Sequence, residues 1–255
     1  MNRVDVVLLL GILAGFSSGV ANATTSIVSA VPTGIIFAAD SKTISDTESR
    51  SSHTASCKII QPSSVNPGVW MTKAGVDYLD IKGSPELDMS SIAMSNISLH
   101  YDLYDGVVAF GDDFALRLTY ALIVTRRRHP AVFSKLLPQD GSTISETAFG
   151  QVLPDGRVDI YVVRFVGYTR ASPTQVYIEP VIVGKSGMTD GVVFLGFADE
   201  IRATSKIRDI DLGNPEGLRK AIEVEVRAHP DKVAPPIAIL ELDRNGPHWI
   251  ARGLC

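Results

Sequence analysis

The chain has 255 residues, of which 45% are hydrophobic and 20% are charged, so it can bury a core of ordinary size and does not have the composition of a disordered protein. Its net charge of −4 gives no support for nucleic acid as a partner, because nucleic-acid-binding chains carry an excess of basic residues. We therefore expect one globular domain that binds no nucleic acid.

The N-terminus has the three regions of a secretory signal peptide. Arg3 lies in a short polar start, residues 6–16 form an uninterrupted apolar run, and an A-x-A step stands at residues 21–23. An apolar run of about a dozen residues suits a signal peptide and is too short to span a bilayer. We therefore expect residues 1–23 to be removed on export and residues 24–255 to remain as one periplasmic or extracellular domain, with no stable membrane insertion. An uncleaved anchor and a buried first strand are the alternatives.

Removal of that segment would make Thr24 the first residue, with Thr25 behind it. A free N-terminal threonine can act as a nucleophile, because its own α-amine, with a reference pKa of about 8, can accept the proton of its hydroxyl. None of the five histidines has the HxxxH or H-x-H spacing of metal ligands, and we expect neither a metal nor a cofactor. Taken alone, the two threonines also suit the polar edge of a strand.

Four strands are predicted before the first helix. Two β-rich runs, residues 25–31 and 34–40, are separated by a Pro-Thr turn and predict a hairpin that ends at Asp40. A polar loop follows, and residues 57–61 and 68–75 then form two further strand-like segments. The chemically interesting residues near the ends of these segments are Thr24, Asp40, Lys58 and Gly75.

Helices and strands alternate in the rest of the chain. One helix is expected over residues 85–98, a second behind a cap at Asp112-Asp113, and a third behind Asn214-Pro215. The apolar faces of the last two are Phe114, Leu118, Ala121, Leu122 and Thr125, and Leu218, Ala221, Ile222 and Val226. Further strand and turn signals lie at 153–158, 175–183, 191–197 and 245–246. This order of elements predicts an α+β fold, a four-layer αββα sandwich of two packed sheets with helices outside.

The segment TTSIVSAVPTGIIFAADSKTI, residues 24–44, resembles the start of proteasome β-type subunits, which belong to the N-terminal-nucleophile hydrolases. Asp40 lies 16 residues after Thr24, as in that family. The segments CKIIQ and MTKAG are similar to the family's lysine strand and to the strand that ends in its oxyanion-hole glycine. The firm match covers residues 24–75, and PPIAILELDRNGPHWI, residues 235–250, is a weaker second match.

The resemblance implies the αββα fold and a role for each matching residue. Thr24 would be the nucleophile, with its amine as the base. Lys58 would lie beside it as an ammonium, Asp40 would pair with Lys58, and the backbone N–H of Gly75 would donate to the oxyanion. Asp231 would belong to the hydrogen-bonded network around the amine. The implied activity is that of a threonine peptidase or amidase acting on a peptide or amide substrate, and a homo-oligomer remains open.

The sequence departs from the family at two places. Phe197 occupies the place of a serine near the nucleophile, and Ala234 occupies the place of a second serine, three residues after Asp231. Losing both hydroxyls would weaken the network around the amine. A catalytically silent binding or assembly protein with the same fold is therefore the alternative function.

Cys57 and Cys255 are the only cysteines. A disulfide would require the C-terminus to reach a strand of the core, so we expect Cys57 to be a buried free thiol, with a disulfide as the alternative.

Overall fold

The computed structural model describes residues 24–47, 50–63, 65–79, 87–169, 175–196, 198–203 and 210–255. The expected signal peptide, residues 1–23, and Phe197 lie outside the described residues. The fold is mixed α/β with antiparallel sheets. The strands are β1 Thr25–Val31, β2 Gly34–Ala39, β3 Lys42–Thr47, β4 Arg50–Ala55, β5 Ile59–Ile60, β6 Val69–Gly75, β7 Tyr78–Leu79, β8 Leu87–Asp88, β9 Ser142–Val152, β10 Val158–Thr169, β11 Val176–Met188, β12 Gly191–Gly196, β13 Ala238–Asp243 and β14 Gly246–Ala251. The helices are α1 Met89–Leu99, α2 Leu103–Arg128, α3 Pro130–Leu136, α4 Asp199–Ala203 and α5 Pro215–Ala228.

Two five-stranded antiparallel sheets form the centre of the fold. The first has the order β12-β1-β2-β13-β14, and the second has the order β11-β10-β9-β6-β5. Strands β3 and β4, and strands β7 and β8, form two separate hairpins. The first residues of the predicted domain therefore enter the middle of the first sheet, since β1 lies between β2 and β12.

Three apolar clusters hold these elements together. One contains side chains of both sheets, among them Phe37 and Ile160. A second joins α1, α2 and α3 to the second sheet, with Phe110 packed against Phe165. The third joins α4 and α5 to the first sheet, with Ile222 beside Ile239 in the same cluster. Each sheet therefore buries apolar side chains from both of its faces, which accounts for the fully buried pattern of β1 and β2.

Several expectations about individual elements are confirmed. Strands β1 and β2 form the expected hairpin, in which Val31 pairs with Gly34. Helix α5 begins at Pro215, and the side chain of its cap Asn214 accepts a hydrogen bond from Gly217 N. Strands β13 and β14 form the final hairpin.

The start of α2 was placed too late by the sequence pattern. The helix begins at Leu103, and its cap is Asp102, whose side chain accepts hydrogen bonds from the first turn. Asp113 lies in the middle of the helix, where its carboxylate binds Arg117 at 2.8 Å. The apolar face continues towards the N-terminus through Phe110 and earlier residues, so the two adjacent aspartates do not end it.

The predicted polar loop between β2 and the lysine strand contains the hairpin of β3 and β4. The expectation of four strands before the first helix is therefore wrong, because β1 to β8 all precede α1. The hairpin is rich in Ser and Thr and lacks an apolar alternation, so hydrophobic periodicity does not reveal it.

Cys57 and Cys255 form a disulfide, with their Cα atoms 4.7 Å apart, so the expected free thiol at Cys57 is wrong. The C-terminal residues turn back, with Cys255 N donating to Arg252 O at 2.7 Å, and so reach the segment before β5. The bond joins residues 198 apart in sequence. A crosslink over a loop of that length is worth about 5 kcal/mol of stability in the chain-entropy model.

Candidate active site

Thr24 and Lys58 meet in the interior of the protein. Thr24 directly precedes β1, and Lys58 directly precedes β5. The Lys58 ammonium donates a hydrogen bond of 2.8 Å to Thr24 Oγ1, and each residue is only 2% exposed. The Thr24 hydroxyl also donates to Lys42 O at 3.3 Å. The structure therefore brings the expected nucleophile and the expected lysine into direct contact.

Asp40 holds the backbone at the start of β1. Its Oδ1 accepts a hydrogen bond from Thr25 N at 3.0 Å, and its Oδ2 accepts from Lys42 N at 3.1 Å and Ala234 N at 3.3 Å. The expected pairing with Lys58 thus differs from what is seen, because the carboxylate oxygens are occupied by backbone N–H groups and the ammonium is directed to Thr24. Asp40 and Lys58 attract one another without a hydrogen bond that the structure describes.

Burial dominates the electrostatics of both groups. Burial raises the pKa of Asp40 to about 6, although the charge of Lys58 and the three backbone N–H bonds lower it in part. Burial also lowers the pKa of Lys58, against the charges of Asp77 and Asp40, which raise it. Burial therefore favours the neutral form of each group over the charged form, in comparison with a free side chain.

The raised pKa of Asp40 predicts a pH dependence of stability. Between its unfolded value of 3.8 and its folded value of about 6, the native state binds a proton that the unfolded chain does not. The free energy of unfolding should therefore fall as pH rises through this window, by about 3 kcal/mol for a shift of this size. Replacing Asp40 by Asn should remove this fall, as measured by urea unfolding at several pH values between 4 and 7.

The quantity to compare is the slope of the free energy of unfolding against pH, because Asp40→Asn also lowers this free energy at every pH. An amide nitrogen cannot accept the backbone N–H bonds that a carboxylate oxygen accepts. The exposed carboxylate of Asp231 provides the control, since Asp231→Asn should keep the wild-type slope. An unchanged slope in Asp40→Asn would show that another group titrates in this window.

Gly75 ends β6 in a backbone conformation that favours glycine. Its φ is 84°, and it pairs with Ser145 of β9 in the sheet register. The next residue, Val76, donates its N–H to Ile144 O at 3.1 Å. The structure thus places Gly75 at a strand end, as the sequence analysis expected, where the chain turns.

Gly196 is a site residue that the sequence analysis did not single out. It pairs with Thr25, and a Cβ on it would lie 2.1 Å from Thr24 O, so only glycine fits. Its φ is also positive, at 68°. Its N–H donates to the Glu146 carboxylate at 2.6 Å, and Arg164 binds the other oxygen of that carboxylate at 2.8 Å. The close approach arises from tertiary packing, which no local sequence pattern encodes.

The structure does not bring the Asp231 side chain into this group of residues. Asp231 is exposed, and no hydrogen bond of its carboxylate to the site is described. The neighbouring chain contributes backbone atoms instead, because Pro230 O accepts from Lys42 Nζ at 2.9 Å and Ala234 N donates to Asp40. Ser41 Oγ donates to Pro236 O. Residues 230–236 therefore close one side of the site through their main chain.

An ion pair beside the site was missed by the sequence analysis. Lys73 of β6 binds the carboxylate of Asp77 at 2.8 Å and donates to Ser90 Oγ at 3.0 Å. Both charged side chains are nearly buried. A lysine in an otherwise apolar strand suggests exposure, so only the structure reveals that Asp77 contributes to the charge around Lys58.

Two surface cavities of the described residues have linings that do not include Thr24. One, of about 430 Å³, is lined by α5, Pro235-Pro236 and residues 251 and 253, and another, of about 230 Å³, lies between α1 and Arg117. Thr24 itself is buried. In the described part of the chain, no group of three or more His, Cys, Asp or Glu residues is arranged to hold a metal ion.

None of the helices within the described ranges is long and apolar enough to cross a membrane.

Comparison with known proteins supports the fold. No protein-family model matches the chain, and no curated protein matches it. Among solved structures, the chain is similar to a Gly-1 mutant of Anbu from Hyphomicrobium sp. strain MC1, with 14% sequence identity and a TM-score of 0.50. The similarity covers 91% of this chain and 87% of that one. At this identity the likeness concerns the fold alone: the chain has a mixed α/β fold whose structural neighbour is a proteasome-like protein.

Proposed function

We propose that this protein is an exported threonine-type N-terminal-nucleophile hydrolase that cleaves peptide or amide bonds and is activated when residues 1–23 are removed. One observation carries the proposal: the ammonium of Lys58 lies 2.8 Å from the hydroxyl oxygen of Thr24, and both are buried. A buried cation next to a hydroxyl favours the deprotonated oxygen, as nucleophilic catalysis requires. Thr24 is also the residue that the expected cleavage would place first.

The proposed reaction uses groups of the chain alone. The Thr24 hydroxyl attacks the substrate carbonyl, and its proton passes to the free α-amine of the same residue. The Lys58 ammonium stabilises the oxygen as it loses the proton, and the N–H of Gly75 donates to the oxyanion. The amine then returns the proton to the leaving nitrogen, and water hydrolyses the ester on Thr24. Asp40 supports the nucleophile by fixing the backbone N–H of Thr25.

Two further parts of the proposal concern architecture and location. The proposed architecture is a four-layer αββα sandwich, and the three apolar clusters support it, since one contains side chains of both sheets and each of the other two joins helices to one sheet. Export is supported by the disulfide, because such bonds form and persist in oxidising compartments.

A non-catalytic binding or assembly protein is the second candidate function. Two observations favour it: Asp231 is exposed, and Ala234 has no hydroxyl to offer the amine. Without these two partners, the hydrogen-bonded network around the Thr24 amine would be weaker.

The deciding experiment is reaction of the mature protein with a peptide epoxyketone, which forms two bonds with an N-terminal threonine, through its hydroxyl and its amine. We expect the intact mass of residues 24–255 to rise by one reagent molecule and hydrolysis of amide substrates to stop. Thr24→Ala removes the hydroxyl and should form no such adduct. A folded wild-type protein whose first residue is verified as Thr24, and which neither reacts nor hydrolyses any of a broad peptide library, would favour the binding protein.

A further inference from the structure

The disulfide is attached one residue away from the proposed catalytic lysine. Cys57 directly precedes Lys58, whose ammonium reaches Thr24 Oγ1. Cys255 lies in the turn that follows β14, where its N–H donates to Arg252 O. A covalent bond therefore joins the segment after β14 to the backbone that carries this ammonium.

Few of the backbone hydrogen bonds between described strands hold this segment. Strand β5 has two residues at the edge of its sheet and, among the described strands, pairs with β6 alone through Ile59 and Ile60. On the other side, Ser56 N donates to Ser41 O at 2.9 Å. A short edge strand has a neighbour on one side only, so a crosslink at Cys57 adds restraint where the sheet supplies little.

The other half of the disulfide lies against β13, the sheet neighbour of the strand that leads to Asp40. Gly253 packs against the start of β13, where a Cβ on it would lie 3.2 Å from Ala238 N. Ala238 pairs with Ala39, the residue before Asp40. The disulfide is therefore linked through β13 to the strand before Asp40, and the segments of Lys58 and Asp40 both reach the start of β1.

We propose that the Cys57–Cys255 disulfide is a positioning device that holds Lys58 against Thr24, and that its formation is a second activation step beside the release of the Thr24 amine. The activity test of this inference rests on the proposed function, whereas its structural test does not. The bond forms by exchange with a small-molecule or protein disulfide. Both cysteines lose their protons, their sulfurs are oxidised, and the oxidant is reduced to two thiols. Before export, in a reducing compartment, the protein would lack both the disulfide and the free Thr24 amine.

The structural test compares lysine accessibility in the oxidised and reduced mature protein. Reductive methylation with formaldehyde and sodium cyanoborohydride, which leaves disulfides intact, modifies accessible neutral amines, and peptide mass analysis reports each lysine separately. Reduction should speed modification of Lys58 by at least about tenfold through local opening, while Lys73, the other buried lysine near the site, stays protected. Equal protection of Lys58 in both forms would overturn the inference. A parallel rise at Lys73 would also overturn it, since the bond would then maintain the whole fold.

The activity test uses Cys57→Ser, Cys255→Ser and the double variant with the epoxyketone. If the cysteines act as one unit, all three variants should react equally slowly. The acid limb of the pH–rate profile should also shift to higher pH, because a displaced Lys58 no longer lowers the pKa of the Thr24 amine. A slower rate with an unshifted limb would indicate a merely structural bond. Reaction of oxidised and reduced proteins at the same rate overturns the inference and leaves the proposed function standing. Disulfide-dependent protection of Lys58 without any epoxyketone adduct supports the inference and overturns the proposed function.

Discussion

Replacing Lys58 by Met should slow the reaction of Thr24 with an epoxyketone by about a hundredfold to a thousandfold, since loss of one key electrostatic contact commonly costs that much. Methionine keeps the length and apolar body of the lysine side chain and removes only the charge and the donor. The hydrogen bond to Thr24 Oγ1 disappears, and with it the cation that favours the deprotonated oxygen. The rate of adduct formation by intact mass measures the effect directly.

The fold should survive this replacement, which makes the result interpretable. The Lys58 charge lowers the pKa of Asp40, so its removal raises that pKa further and favours the protonated carboxyl. The three backbone N–H groups that bind the Asp40 carboxylate remain in place. Thermal unfolding should show a cooperative transition, and the exposed Lys185 provides the control, because Lys185→Met should react like the wild type.

Combining Lys58→Met with Asp40→Asn should cost no more activity than the worse single change, because both residues serve the same nucleophile. A Lys58→Met protein that keeps half of the wild-type rate would remove the proposed mechanism. Strictly additive losses would mean that Asp40 and Lys58 act independently of one another.

The parts of the fold that the sequence predicted are those in which apolar residues mark a buried surface. Strands β1 and β2 are buried along their whole length, so they appear as continuous apolar runs. The cap at Asn214 is a local signal, since the side chain binds the helix that it precedes. The hairpin of β3 and β4 gave no such signal, because its stability does not come from an apolar alternation in its own sequence.

The site shows the same division between local and tertiary information. Thr24, Lys58 and Asp40 were found through sequence motifs, and the structure brings them together. The disulfide depends on where the C-terminal turn packs, which no pattern around Cys57 or Cys255 encodes. Asp231 matched a motif in sequence, but its side chain points to solvent, because the main chain of its segment makes the contacts.

The cleavage before Thr24 should act as an on–off switch through one nitrogen atom. While residue 23 is bonded to Thr24, that nitrogen is an amide without a basic lone pair, and it cannot accept the hydroxyl proton. Once freed, the amine has a reference pKa of about 8 and can accept it. Asp40 already fixes Thr25 N at 3.0 Å, so the residue that gains the amine is held in place before cleavage.

Comparing two forms of the protein tests this switch. One begins Met-Thr24, so that the Thr24 nitrogen stays an amide, and the other carries a removable leader whose cleavage leaves Thr24 first. We expect only the second to hydrolyse amide substrates and to form the epoxyketone adduct. Both should have the same thermal stability, since they differ by one N-terminal residue. Intact mass must show that the methionine of the first form is retained, because an aminopeptidase would convert it into the second. Equal hydrolysis by a verified Met-Thr24 chain would mean that the amine is not the base, and that the A-x-A step before Thr24 serves export alone.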